Sequence, residues 1–189
     1  MNPTIKLGSE VMVSDPCYTV GTWCQRKLTD VLPGPYRSFV RQTDDTGGWG
    51  RRNSLLSVIH EDYLSEPLTW RALPDDIGVD SGQCGIFSME TYRNDDIFKK
   101  EVSEFLKKYN VKSNEDGEEW YGHMCDRTLN EESWGTYSNG VVSSSGIGDG
   151  SYMLSVAKAD GKIVGIAVDF FMEKLRKKDY EYYKDNILV

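Results

Sequence analysis

A mainly β fold, an antiparallel sandwich or open barrel with one packed helix over about residues 94–109 and a short C-terminal helix, is the class this sequence predicts. Three observations carry it. The chain has 18 glycines and 12% aromatic residues, a composition that favours strands and tight turns over a helical bundle. Residues 151–157 and 162–171, rich in Val, Ile and Tyr, meet at Asp160-Gly161, and Asp-Gly between such runs favours the positive-φ turn of a twisted hairpin. One stretch alone carries a well-capped helical stripe. Phe98, Val102, Phe105, Leu106 and Tyr109 recur at helical spacing, Asn94 is a good N-cap, Asp95 and Asp96 suit the first turn, and Lys107 and Lys108 suit the last.

The remaining elements follow in order. Residues 8–13 read as a short strand, closed by the ordered turn Ser14-Asp15-Pro16, because a residue before proline is pushed out of the helical region. Pro33-Gly34-Pro35 turns the chain into a half-wet strand over 36–43. A Gly-rich loop at 44–53 places Trp49 beside Arg51 and Arg52, and the apolar run 54–59 reads as a buried strand. Residues 77–87 form a glycine-interrupted strand with a kink at Asp80 and Gln83. The acidic stretch 114–132, with Trp120, Tyr121, His123 and Cys125 at its centre, reads as a solvated loop or an edge helix. A second Gly/Ser loop, 143–150, leads into the hairpin. The segment 173–186, with Tyr180, Tyr182 and Tyr183, fits a terminal surface helix and supplies candidate contacts for a homo-oligomer.

At 189 residues the chain is read as a single domain, 1–189. It has no apolar run of the ~20 residues that cross a bilayer. The start Met-Asn-Pro-Thr-Ile-Lys lacks a signal-peptide core, so no membrane partner and a cytoplasmic location are expected. The net charge of −8 is uneven: residues 1–60 carry +2, residues 61–136 carry −10, and the rest balance. A phosphate polymer needs a basic face, so duplex nucleic acid is an unfit partner, while a small anion needs only a few local donors. Cys17, Cys24, Cys84 and Cys125 form no C-x-x-C pair and read as reduced structural thiols, with no metal-site spacing.

No P-loop, dinucleotide fingerprint, kinase signature or G-x-S-x-G elbow is present, and no motif names a cofactor. Trp49 with Arg51 and Arg52 has the chemistry to stack a base and clasp a phosphate. Asp15, Asp80 and Asp149 each sit in a glycine- or proline-marked turn. If the fold gathers them, they form the rim of a pocket with Ser81, Gln83 and Ser151.

The motifs S-D-P-C-Y at 14–18, V-D-S-G-Q at 79–83 and G-D-G-S-Y at 148–152 resemble a group of uncharacterised bacterial and phage proteins, a domain of unknown function. The resemblance implies a β-rich fold with Asp15, Asp80, Gln83 and Asp149 in the shared pattern, and a phage counter-defence role that sequesters or cuts a nucleotide signal. Three functions follow as expectations. The first is a binding domain for a small polar or anionic ligand, using Asp15, Trp49, Arg51, Arg52, Asp80, Ser81, Gln83, Asp149 and Ser151. The second is a metal-assisted, phosphoesterase-like hydrolase using Asp15, Asp80 and Asp149, with His123 as a further candidate. The third is a protein-interaction domain that offers its acidic middle to a basic protein partner.

Overall fold

The computed structural model describes residues 2–44, 46–98, 100–111 and 116–171. The expected C-terminal helix and its tyrosines lie outside the described residues. Two antiparallel sheets face one another. The larger runs β1 (Thr4–Leu7), β4 (Gly34–Thr43), β5 (Arg52–His60), β12 (Lys162–Asp169), β11 (Gly150–Ala159) and β6 (Trp70–Ala72), with β7 (Ile77–Val79) also paired to β11. The smaller runs β3 (Arg26–Leu28), β2 (Val11–Ser14), β8 (Gln83–Ser88), β10 (Gly140–Ser144) and β9 (Trp134–Tyr137). The expected mainly β class, an antiparallel sandwich or open barrel, is thus the observed one.

Period-2 alternation explains the core. Leu56 and Val58 of β5, Leu154 and Val156 of β11, and Ile166 and Val168 of β12 meet Val11, Val13, Ile86 and Val141 of the smaller sheet in one buried cluster, as expected when two sheets interdigitate their inner faces. The β11–β12 hairpin forms at the predicted turn, with Asp160 at φ 49° and Gly161 at φ 78°. β8 is buried along its whole length, because the sandwich covers one face and a helical layer the other. Its Gly85 is required by a close approach: a Cβ there would lie 2.0 Å from Cζ of Phe87.

The helical layer departs from the sequence reading. The helix expected over 94–109 is broken into a 3-10 turn at Asp95–Phe98 and a six-residue α1 (Glu104–Tyr109), while α2 (Glu118–Thr128), inside the acidic stretch, is the longer helix. The cause is reciprocal capping. Ser103 Oγ caps α1 by accepting from Leu106 N–H, and the backbone N–H groups of Ser103, Glu104 and Phe105 donate to Glu119 and Asp126 of α2. In return the Asp95 carboxylate accepts from Gly117 and Trp120 N–H, both at 2.8 Å, at the start of α2. The amides of each helix start find carboxylates on the neighbouring segment, which satisfies them without one continuous helix. The predicted stripe is correspondingly split. Phe98 and Leu106 are buried, but Val102 is 58% and Tyr109 56% exposed.

Trp120 and Met124 of α2 are fully buried against Met12, Phe87 and Val142 on the outer face of the smaller sheet. Trp120 meets the rings of Phe87 and Tyr92 edge-on at about 5 Å. Trp120→Ala is expected to cost about 3–5 kcal/mol, the usual range for emptying a large aromatic site. A urea titration reads this as a lower midpoint with unchanged slope.

Candidate functional site

The strand registers place the glycine-rich turns at one end of the sandwich. Ser14 lies beside Gly85, Gln83 beside Ser144, Gly150 beside Val79, and Leu55 beside Asp169. The connections leaving β2, β4, β7 and β10 therefore share a rim. The Ser145 N–H donates to Gly82 O at 2.9 Å, which ties the Gly/Ser loop to the turn at 80–82.

Asp15 is the tie between the first two motifs. Its carboxylate has no exposed surface. Oδ1 accepts from Cys17 N–H at 2.8 Å and from the Ser81 hydroxyl at 2.7 Å; Oδ2 accepts from Asp80 N–H at 2.8 Å and Ser81 N–H at 2.6 Å. Four donors surround a carboxylate that prefers charge-assisted bonds, so Asp15 holds turns together and offers no free face to a ligand. The hydrolytic reading depends on Asp15 as a ligand or base and loses its first group. Among the described residues no three His, Cys, Asp or Glu side chains stand together as a metal site.

The other predicted residues divide. Asp80, Asp149 and Ser151 are exposed at the rim, with Ser151 opposite Gly78 in the β7–β11 pair. Ser81 gives its N–H and hydroxyl to Asp15. Gln83 is buried and internal: its Nε2 donates to Cys125 Sγ at 3.5 Å and its Oε1 accepts from Thr128 at 3.0 Å. The Gly/Ser loop is not an open anion nest, since Gly148 N–H donates back to Ser145 O and the Ser145 hydroxyl to Gly148 O. Trp49 is 64% exposed in the 44–51 connection.

Cys24, Cys84, Cys125 and His123 are buried, and Cys17 is partly so. Burial, then the Asp15 hydrogen bond, pushes the Cys17 thiol up to about 12, and burial likewise raises Cys125, so both are protonated at neutral pH and poorly nucleophilic. His123 is buried, stacks on Phe98 at 4.1 Å between ring centroids, and lies 3.5 Å from Glu119 and 3.7 Å from Asp126. That setting orders the helical layer.

A concave feature does form where the 44–53 loop meets the end of β10. A polar hollow of about 130 Å³ is lined by Arg51, Arg52, Asn53, Gln42, Ser133 and Ser144, with Glu131 and Glu132 at its edge. Asn53 is almost wholly buried and joins the two sheets there. Its Nδ2 lies within hydrogen-bond distance of Ser133 O, Ser143 Oγ and Ser144 Oγ at 2.9–3.0 Å, and its Oδ1 accepts from Gln42 Nε2 at 2.9 Å. Arg52 Nε donates to Trp49 O at 3.0 Å, which fixes the loop over the hollow. The Arg51 guanidinium has no hydrogen-bonding or ion-pair partner among the described residues. Sequence reasoning singled out Trp49, Arg51 and Arg52 but missed Gln42, Asn53, Ser133 and Ser144. The one available signal was a polar Asn53 at the start of an apolar strand.

Fold and rim together define a β-sandwich with a helical layer on one face and a polar, arginine-flanked hollow at one end. No protein-family model, curated protein or solved structure matches this chain.

Proposed function

We propose that the protein is a binding module that holds a small anionic ligand in the rim hollow. The supporting observation is the pairing of Arg51 and Arg52, the former without a partner among the described residues, with a preorganised floor of Asn53, Ser133 and Ser144 drawn from distant segments. Forked guanidinium donors suit phosphate and carboxylate oxygens. A hollow of about 130 Å³ is smaller than the ~300–1,000 Å³ of pockets that swallow a whole ligand. Only a headgroup enters, and the remainder of the molecule lies on the surface. Trp49 stands exposed beside the arginines, and an aromatic face there suits a base. A nucleotide with its phosphate in the hollow satisfies both features. The resemblance of the three rim motifs to phage-borne domains extends this reading to sequestration of a nucleotide signal.

Glu131 and Glu132 temper the positive charge, so simple polyanions are disfavoured and ligands that also present donors are selected. Calorimetry and thermal shift with inorganic phosphate, AMP and a cyclic dinucleotide test the proposal. Saturable binding is expected for the nucleotides, with at least tenfold weaker affinity in Arg51→Ala/Arg52→Ala. Trp49→Ala is expected to weaken nucleotides while leaving phosphate unchanged. Silence across the panel, or equal binding by the double variant, overturns the reading.

A further inference from the structure

We infer that a second site, on the overhanging edge of the larger sheet, binds an amphipathic anion, a carboxylate or sulfonate carried on an apolar body. The two sheets are unequal, seven strands against five. Leu73 and Val156 both belong to the inner, apolar side of the sandwich. At β6 and β11 that side continues into a groove of about 540 Å³ lined by Thr69, Arg71, Ala72, Leu73, Val156 and Lys158. This volume lies within the ~300–1,000 Å³ range of small-molecule sites. The register explains its make-up. Arg71 lies directly opposite Val156, so the cation shares a face with core side chains.

Arg71 and Lys158 are exposed and have no acidic or hydrogen-bonding partner among the described residues. Asp75 pairs with Arg26 and Asp30 with Lys162. In a chain of net charge −8, two unpaired cations above an apolar floor form a local positive field with a hydrophobic base. Charge complementarity selects an anion, and the Leu73 and Val156 floor selects one with an apolar body in preference to free phosphate. The rim hollow has the opposite character, polar throughout, so the two sites take different molecules.

A fluorescence titration with 1-anilinonaphthalene-8-sulfonate tests this on the intact chain, with far-ultraviolet circular dichroism confirming that each variant is folded. Saturable one-site binding is expected, displaced by decanoate but not by decyltrimethylammonium or inorganic phosphate. Arg71→Glu/Lys158→Glu should weaken it at least tenfold. Arg71→Gln/Lys158→Gln, which removes the cations without adding charge, should weaken it severalfold. Arg51→Ala/Arg52→Ala should leave it unchanged. The inference fails if binding does not saturate, if the cationic amphiphile competes equally, if both Arg71/Lys158 variants bind like the parent, or if the Arg51/Arg52 variant loses binding.

Discussion

Asp15→Ala is expected to lower the stability of the protein by about 3–5 kcal/mol, because several buried donors lose a charged acceptor at once and each orphaned group costs about 1–3 kcal/mol. Three backbone N–H groups, from Cys17, Asp80 and Ser81, and one hydroxyl lose their acceptor together. The cavity left by a carboxylate is too confined for water to satisfy all of them at once. Asp15→Asn, which keeps one carbonyl oxygen but turns an amide N–H₂ toward donors, should cost about half as much. Asp80→Asn, at an exposed side chain, should stay within about 0.5 kcal/mol of the parent. Urea denaturation of the three variants reads the order. If Asp15→Ala unfolds at the parent midpoint yet loses ligand, then Asp15 is a contact residue and not the tie that assembles the rim.

Between about pH 4 and pH 6 a single residue, Asp169, should remove about 3 kcal/mol of stability. Asp169 ends β12 with no exposed surface, beside Leu55 and Met153. Its Oδ1 accepts from Phe171 N–H at 2.9 Å, while its Oδ2 has no hydrogen-bond partner among the described residues. Burial pushes the carboxyl from its ordinary 3.8 up to about 6, with the Phe171 N–H and the Arg41 charge offsetting only part of the effect. The folded chain therefore retains a proton that the unfolded chain has released. Folded protein binds more protons than unfolded across that window, so stability falls as pH rises through it and levels off above it. Two pKa units correspond to about 3 kcal/mol. Other carboxylates titrate in the same range, so the measurement is the difference between parent and Asp169→Asn in urea midpoints at pH 4.5, 5.5 and 7. The parent should lose stability relative to the variant as pH rises. Parallel pH profiles would show that Asp169 is charged in the fold without penalty.

Local signals made parts of this molecule legible. Asp160-Gly161 dictates its turn whatever surrounds it, the half-wet pattern at 36–43 appears as β4, and the compact apolar run at 54–59 appears as the buried β5. Asp15 was readable as a turn residue, since proline follows it, but its four donors come from two segments more than sixty residues apart in the chain. Helix α2 was legible only as one of two readings of the acidic stretch, a solvated loop or an edge helix. Seven of the residues from 114 to 132 are Asp or Glu, and that charge masks the i, i+4 spacing of Trp120 and Met124. The continuous helix expected over 94–109 failed for a non-local reason, because Glu119 and Asp126 supply caps that no window on 94–109 contains. The hollow was half visible. Arg51, Arg52 and Trp49 are neighbours in sequence, whereas Gln42, Asn53, Ser133 and Ser144 come together only when the ends of three strands and the loop after α2 are assembled.

The central seam of the larger sheet joins Ile59 to Gly165 and Leu55 to Asp169, segments more than a hundred residues apart in the chain. During synthesis β5 must therefore leave the ribosome long before its partner does. Until the final hairpin emerges, β5 presents an apolar, unpaired edge, the kind of template to which another nascent chain can add. Yield in the cell should then depend on how long that interval lasts, and on whether a holding chaperone covers the edge while it does.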